Sequence, residues 1–109
     1  MIGAAYCSKE LCRQLDKAGI EAHHVMAFEK GGSWYKKYTL DIACRWLREV
    51  HLIFFDFHLV LGEDVKHRFR IGVYQMKDEE TYVWKTWIFG DSYEEVHEAA
   101  IRYCVENLI

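Results

Sequence analysis

The chain has 109 residues, of which 51% are apolar and 28% charged, and a formal net charge of −3. That length and balance predict one globular domain, residues 1–109. The acidic balance argues against general affinity for phosphate backbones, and no apolar run in the sequence is long enough to cross a bilayer.

Aromatic residues reach 16%, so some of the four Trp, seven Tyr and six Phe must meet the surface of so short a chain. Exposed aromatics in quantity mark a self-association or ligand face. A core crowded with large side chains is the other reading. The segment Met1 to Cys7 lacks the basic and long apolar stretches of a signal peptide. The cysteines stand at 7, 12, 44 and 104, three of them at core-like positions of expected helices, and reduced thiols in a cytoplasmic protein are the simplest expectation. No proline, repeat or low-complexity tract marks a boundary.

Ser8-Lys9-Glu10-Leu11 opens a first helix, with Ser8 as cap and Glu10 at the positive end of the dipole. Leu11, Cys12, Leu15 and Ala18 form its stripe. Gly19 supplies a left-handed stop, with Ile20 folding back onto the stripe. Ala22 to Phe28 reads as a short strand or an ordered loop, and Lys30-Gly31-Gly32-Ser33 is a turn signal. Trp34, Tyr35 and Tyr38 follow, interleaved with Lys36 and Lys37. Thr39 caps a second helix over 40–50, with Ala43, Trp46, Leu47 and Val50 inward and Arg45, Arg48 and Glu49 outward.

Three alternating runs come next. In 52–61, Ile53, Phe55, Phe57, Leu59 and Leu61 share one face and Phe54, Asp56, His58 and Val60 the other. In 66–76, Phe69, Ile71 and Val73 oppose Arg68, Arg70, Gly72 and Tyr74. The first set in each is the core face, because burying Asp56 or Arg70 alone is costly. Aligned core faces require an odd-length loop. Gly62-Glu63-Asp64 satisfies that and sets Phe57 opposite Phe69, Phe55 opposite Ile71 and Asp56 opposite Arg70. In the third run, 82–89, Tyr82, Trp84 and Ile88 are expected inward. A four-residue turn, Lys77 to Glu80, then sets Trp84 opposite Val73 and Trp87 opposite Arg70. The outer face is expected to carry Asp56, Arg70 and Trp87 in one row and His58, Arg68 and Phe89 in the next.

Ser92-Tyr93-Glu94-Glu95 is a capping box, reinforced by Asp91. Val96, Ala100, Cys104 and Leu108, flanked by Ile101 and Tyr103, give the last helix a stripe that should lie across the core face of the sheet, with Ala99-Ala100 allowing close approach. The expected fold is α+β, a three-stranded antiparallel β-meander with helices packed on one face, in the order α-α-β-β-β-α.

Asp56, Arg70 and Trp87 are the sharpest constellation. A carboxylate beside a guanidinium stacked on indole can hold an anionic or aromatic ligand. Ordinary cross-strand pairing would use the same three residues structurally. Some RNA-binding domains work through such a three-stranded face, but the net charge and the missing motif weigh against it. The wider candidate face is Asp56, His58, Arg68, Arg70, Trp87 and Phe89, with Trp34 and Tyr35.

No metal site is expected. Cys7, Cys12, His23 and His24 have poor spacing for zinc. His51, His58, His67 and His97 read as surface or element-end residues. Glu94-x-x-His97 has the spacing of di-iron helices but no second copy. Phosphate loop, nucleophile elbow and zinc-protease helix are all missing, so no catalytic residue is assigned and no cofactor is expected. Arg13, Lys17, Lys36, Lys37, Arg45 and Arg48 read as solvated helix faces interspersed with acids.

Three segments, Ser8 to Gly19, Tyr38 to His51 and Phe89 to Glu95, together resemble a set of small phage and prophage proteins of Bacteroides-type bacteria. The shared motifs are structural, and the set carries no assigned activity, so the resemblance implies no functional residues. Gly90 to Glu95 is also similar to the sheet-to-helix junction of HicB-type antitoxins. The order helix-strand-strand-strand-helix looks like a double-stranded-RNA-binding domain. That family places lysines where this chain has Asp91, Glu94 and Glu95, so shared topology does not carry the function over. The expectation is a small non-enzymatic binding or accessory protein of phage or mobile-element origin. It would act in the cytoplasm through contacts with a protein partner or a second copy of itself, and not with nucleic acid or membrane. The alternative is a nucleotide- or anion-sequestering module using Arg68, Arg70 and Trp87.

Overall fold

Helix α1 (Lys9–Lys17) starts where the Ser8 side chain accepts the Leu11 amide at 3.3 Å, satisfying one orphan donor. It ends in a Schellman motif. Gly19, at φ +93°, donates to Asp16, and Ile20 donates to Leu15, each at 3.1 Å. This computed structural model describes residues 5–62 and 66–109.

The ambiguous stretch after α1 is a hairpin of its own. Strand β1 (Val25–Glu29) pairs antiparallel with β2 (Ser33–Lys37), with Glu29 opposite Ser33. The turn between them needs positive φ at Gly31 (+121°) and Gly32 (+100°), which only glycine adopts without strain. The element order is therefore α-β-β-α-β-β-β-α, with a two-stranded sheet that the expected order lacked. The hairpin is tied to α1: Glu29 takes both Lys9 and Arg13, while Asp16 takes the Tyr38 hydroxyl at 3.3 Å and Lys36 at 3.4 Å.

Helix α2 (Leu40–Val50) begins at Thr39, whose hydroxyl oxygen accepts the Ile42 amide at 3.1 Å. Leu40, Ala43, Trp46 and Leu47 are buried. Val50, expected inward, is 60% exposed, because the helix ends there before the chain turns through Leu52 at φ +57°.

The main sheet has the order β3-β4-β5, all antiparallel: Ile53–Leu59, Phe69–Met76 and Tyr82–Gly90. Its first hairpin keeps the expected parity but not the expected register. Phe57 faces Ile71, Phe55 faces Val73, and Asp56 faces Gly72 instead of Arg70. A slip of two residues leaves every side chain on its own face, so the hydrophobic pattern does not oppose it. Pairing ends with the Val60 amide on the Arg68 carbonyl at 2.8 Å, so the connection is longer than three residues. The expected turn Gly62-Glu63-Asp64 falls partly outside the described residues.

Between β4 and β5 a bulge corrects a second expectation. Val73 faces Thr86 while Tyr74 faces Trp84, so Lys85 is an extra residue. The bulge reverses the alternation. Ile88 points inward as expected, but Tyr82 and Trp84 share the outer face with Trp87 and Phe89.

Helix α3 (Tyr93–Asn107), capped by Ser92 Oγ accepting the Glu95 amide at 3.1 Å, crosses β4 and β5. At Gly90 the approach is so close that a Cβ would lie 3.0 Å from the Val96 backbone. The core runs from Leu11 and Leu15 through Leu40 and Leu47 to Ile53, Ile71, Val73, Val96, Ile101 and Cys104. Phe57 lies at its margin, 39% exposed, stacked on Phe69 with ring centroids 5.3 Å apart. Among the described residues no helix is long and apolar enough to cross a membrane.

Candidate functional site

The strand register dictates what stands on the outer face. Reading across the sheet, the rows are Phe54–Tyr74–Trp84, Asp56–Gly72–Trp87 and His58–Arg70–Phe89. Arg70 thus leaves the row expected for it and replaces Arg68 beside His58. Arg68 lies before β4, exposed, with its backbone amide on Asp91 Oδ1 at 3.4 Å.

Arg70 and Trp87 still meet, by a diagonal route, whereas Asp56, expected beside Arg70, pairs with His58 instead. Gly72 has no side chain, so the Trp87 indole lies down over it: a Cβ there would sit 2.9 Å from Trp87 Cζ3. The lowered indole meets the Arg70 guanidinium, whose Cζ is 4.2 Å from the ring centre. Arg70 Nε is shielded from solvent and has no hydrogen-bond partner. His58 Nε2 lies 2.8 Å from Asp56 Oδ2, and the His58 ring stands 6.3 Å from Trp87. Trp84 extends the patch, 6.2 Å from Trp87, and Tyr82 meets Phe54 edge-on at 5.7 Å. Tyr82, Trp84 and Phe89 are 57%, 49% and 47% exposed.

Trp34 and Tyr35 belong to the other sheet. Trp34 faces solvent with Phe28 directly opposite, rings 5.1 Å apart. Tyr35 turns the other way, half-buried against the core. The grouping of these two with the outer face is therefore corrected: neighbours on a strand point to opposite sides.

A second feature was not legible in the chain. Helix α2, strand β3 and the first turn of α3 enclose a cleft of about 360 Å³, lined among others by Asp41, Cys44, Arg48, Phe55, Tyr93 and His97. His97, expected at the surface, is buried. Its Nδ1 lies 2.8 Å from the Tyr93 carbonyl, so Nδ1 carries the proton and Nε2 is the acceptor of the neutral ring. The ring lies tilted against Tyr93, centroids 3.9 Å apart, and against Phe57 at 5.2 Å. Burial holds its pKa below the ordinary histidine value. The Tyr93 hydroxyl donates to Asp41 Oδ1 at 3.4 Å, and burial followed by the Asp41 charge raises the phenol pKa.

Burial pushes the Cys44 thiol up to about 12, and nearby Asp41 adds to it. A thiol so protonated is no nucleophile at neutral pH. Cys104 is likewise pushed up to about 12 by burial. At the other end of the core, Cys12 Sγ accepts the Tyr38 amide at 3.5 Å, and hydrogen bonding with Cys12 together with burial raises the Cys7 thiol. All four thiols are free. Among the described residues no three His, Cys, Asp or Glu side chains come together as a metal set. The groups on view are aromatic faces, one cation over an indole, and a cleft with donors and acceptors on its walls.

Compared with known proteins, the chain matches no family model, no curated protein and no solved structure.

Proposed function

We propose that this protein is a non-enzymatic binding module working through protein contacts, with the outer face of β3-β4-β5 as its contact surface. The observation that carries this is the aromatic patch of Tyr82, Trp84, Trp87 and Phe89, with Arg70 among them, on the sheet face opposite the helices. Trp, Tyr and Arg supply most binding energy at interface centres, because each buries a large surface with little rotamer loss or adds a directional cation. A second copy is the simplest partner, since one patch then serves both sides of a two-fold interface. Four free cysteines, three of them buried, fit a reducing, cytoplasmic setting, and an accessory role in a phage or mobile element belongs to the same proposal.

Sedimentation velocity at micromolar concentration tests the self-association. The native chain is expected to run as a dimer and Trp84→Lys as a monomer. A native monomer, or a dimer indifferent to Trp84→Lys, overturns it.

One observation favours a second reading, an anion or nucleotide bound on the same face. The Arg70 guanidinium lies over Trp87 with Nε unpartnered, and it pairs with no carboxylate among the described residues. A thermal shift with mononucleotides that disappears in Arg70→Ala would select this reading, and no shift with any of them would remove it.

A further inference from the structure

We infer that the cleft between α2, β3 and α3 is a binding site for a small aromatic carboxylate whose ring carries an N–H or O–H donor. This inference is independent of the outer sheet face. The cleft volume of about 360 Å³ falls in the range of small-molecule sites. Its walls divide the work of recognition. Phe55 and the adjoining Tyr93 and His97 rings offer aromatic surface for a flat body.

Two cations stand on the α2 side, and they differ in their partners. Arg45 is held by Glu49 at 3.0 Å, whereas Arg48 pairs with no carboxylate among the described residues and is near enough to Cys44 for its charge to act on that thiol. Arg48 can therefore take a ligand carboxylate in the forked geometry that guanidinium favours. Across the cleft, His97 has spent its Nδ1 proton on the Tyr93 carbonyl, so its remaining nitrogen accepts a hydrogen bond. A ring N–H or O–H is the complement. Asp41, held by the Tyr93 hydroxyl on the same rim, repels a second negative charge and so favours a monoanion over a phosphate dianion.

The site can be tested by two-dimensional NMR titration with 4-hydroxyphenylacetate. The expected result is saturable shifts in the amides of Cys44–Arg48 and Tyr93–His97, together with a shift of the His97 ring nitrogens. Arg48→Gln, a change at an exposed position that leaves the core untouched, should weaken binding at least tenfold. Tyramine, which keeps the phenol but replaces the carboxylate with an ammonium, should cause no shifts. Three results would each overturn the inference: no shifts at millimolar ligand, shifts confined to Arg70 and Trp87 on the outer face, or equal affinity in Arg48→Gln.

Discussion

The indole of Trp87 lies on the bare backbone of Gly72, where a single added carbon would approach Cζ3 to 2.9 Å. The glycine is what lets the ring reach Arg70 on the next row, because an upright indole would project away from the sheet instead. Gly72→Ala should lift the ring. Overpacking costs about 1–3 kcal/mol, and replacing a strand glycine returns roughly 0.5–1 kcal/mol. The expected net loss is about 1 kcal/mol, read from urea unfolding. Arg70→Ala should then cost less in the Gly72→Ala background than in the native chain, since its indole partner has moved. Additive effects, with unchanged tryptophan emission, would show that the ring does not rest there.

His97 gives stability a pH dependence of known sign. Its folded pKa is held below the ordinary value of 6.5 by burial, so on acidification the unfolded chain takes up the proton first. The contribution is complete above pH 6.5 and is lost as pH falls from there toward the folded pKa. The chain carries five other histidines, so the comparison is with His97→Gln. The native chain should lose more stability than this variant between neutral and mildly acidic pH, measured as the shift in urea midpoint. Parallel losses in the two proteins would mean that His97 is as readily protonated folded as unfolded.

Much of this fold can be read along the chain, and the part that cannot has a common cause. Ser8, Thr39 and Ser92 announce their helices, because a short side-chain oxygen before an amphipathic run has one good use. The faces of β4 and of the first half of β3 follow from period two, but Phe57, Leu59 and Leu61, expected on the core face, are 39%, 56% and 82% exposed, because the core ends before the strand does. Register does not follow from the period, since shifting Asp56 from Arg70 to Gly72 changes no side chain's face. His97 reads as a surface or element-end residue by its polarity, although it stands in helical step with Ile101 and Cys104, both buried. That spacing is the signal that would have found it. The cleft has no chain-local signature at all. Asp41, Phe55 and His97 come from three elements and meet only after the sheet has received its helices.

The bulge at Lys85 makes a prediction that separates the observed register from the one expected on alternation alone. Trp84 and Trp87 are three apart, so an uninterrupted strand must put them on opposite faces. Here they share the outer face, because Lys85 is skipped between the Trp84–Tyr74 and Thr86–Val73 pairs. Deleting Lys85 makes those two pairs consecutive and turns nothing over. The shortened chain should therefore keep the native fold, with stability within about 1 kcal/mol of the parent, the lost bulge being offset by a regular ladder. In the alternation reading Trp84 is inward and Lys85 is an ordinary outward residue. The same deletion would then drive either Trp84 out of the core or Ile88 out of it, at the 2–5 kcal/mol typical of losing a large buried side chain. Denaturant unfolding of the single-residue deletion, with amide spectra to confirm that Val73 still faces Thr86, distinguishes the two. Survival with native spectra fits the bulge, and collapse to an unfolded or molten chain fits the regular strand.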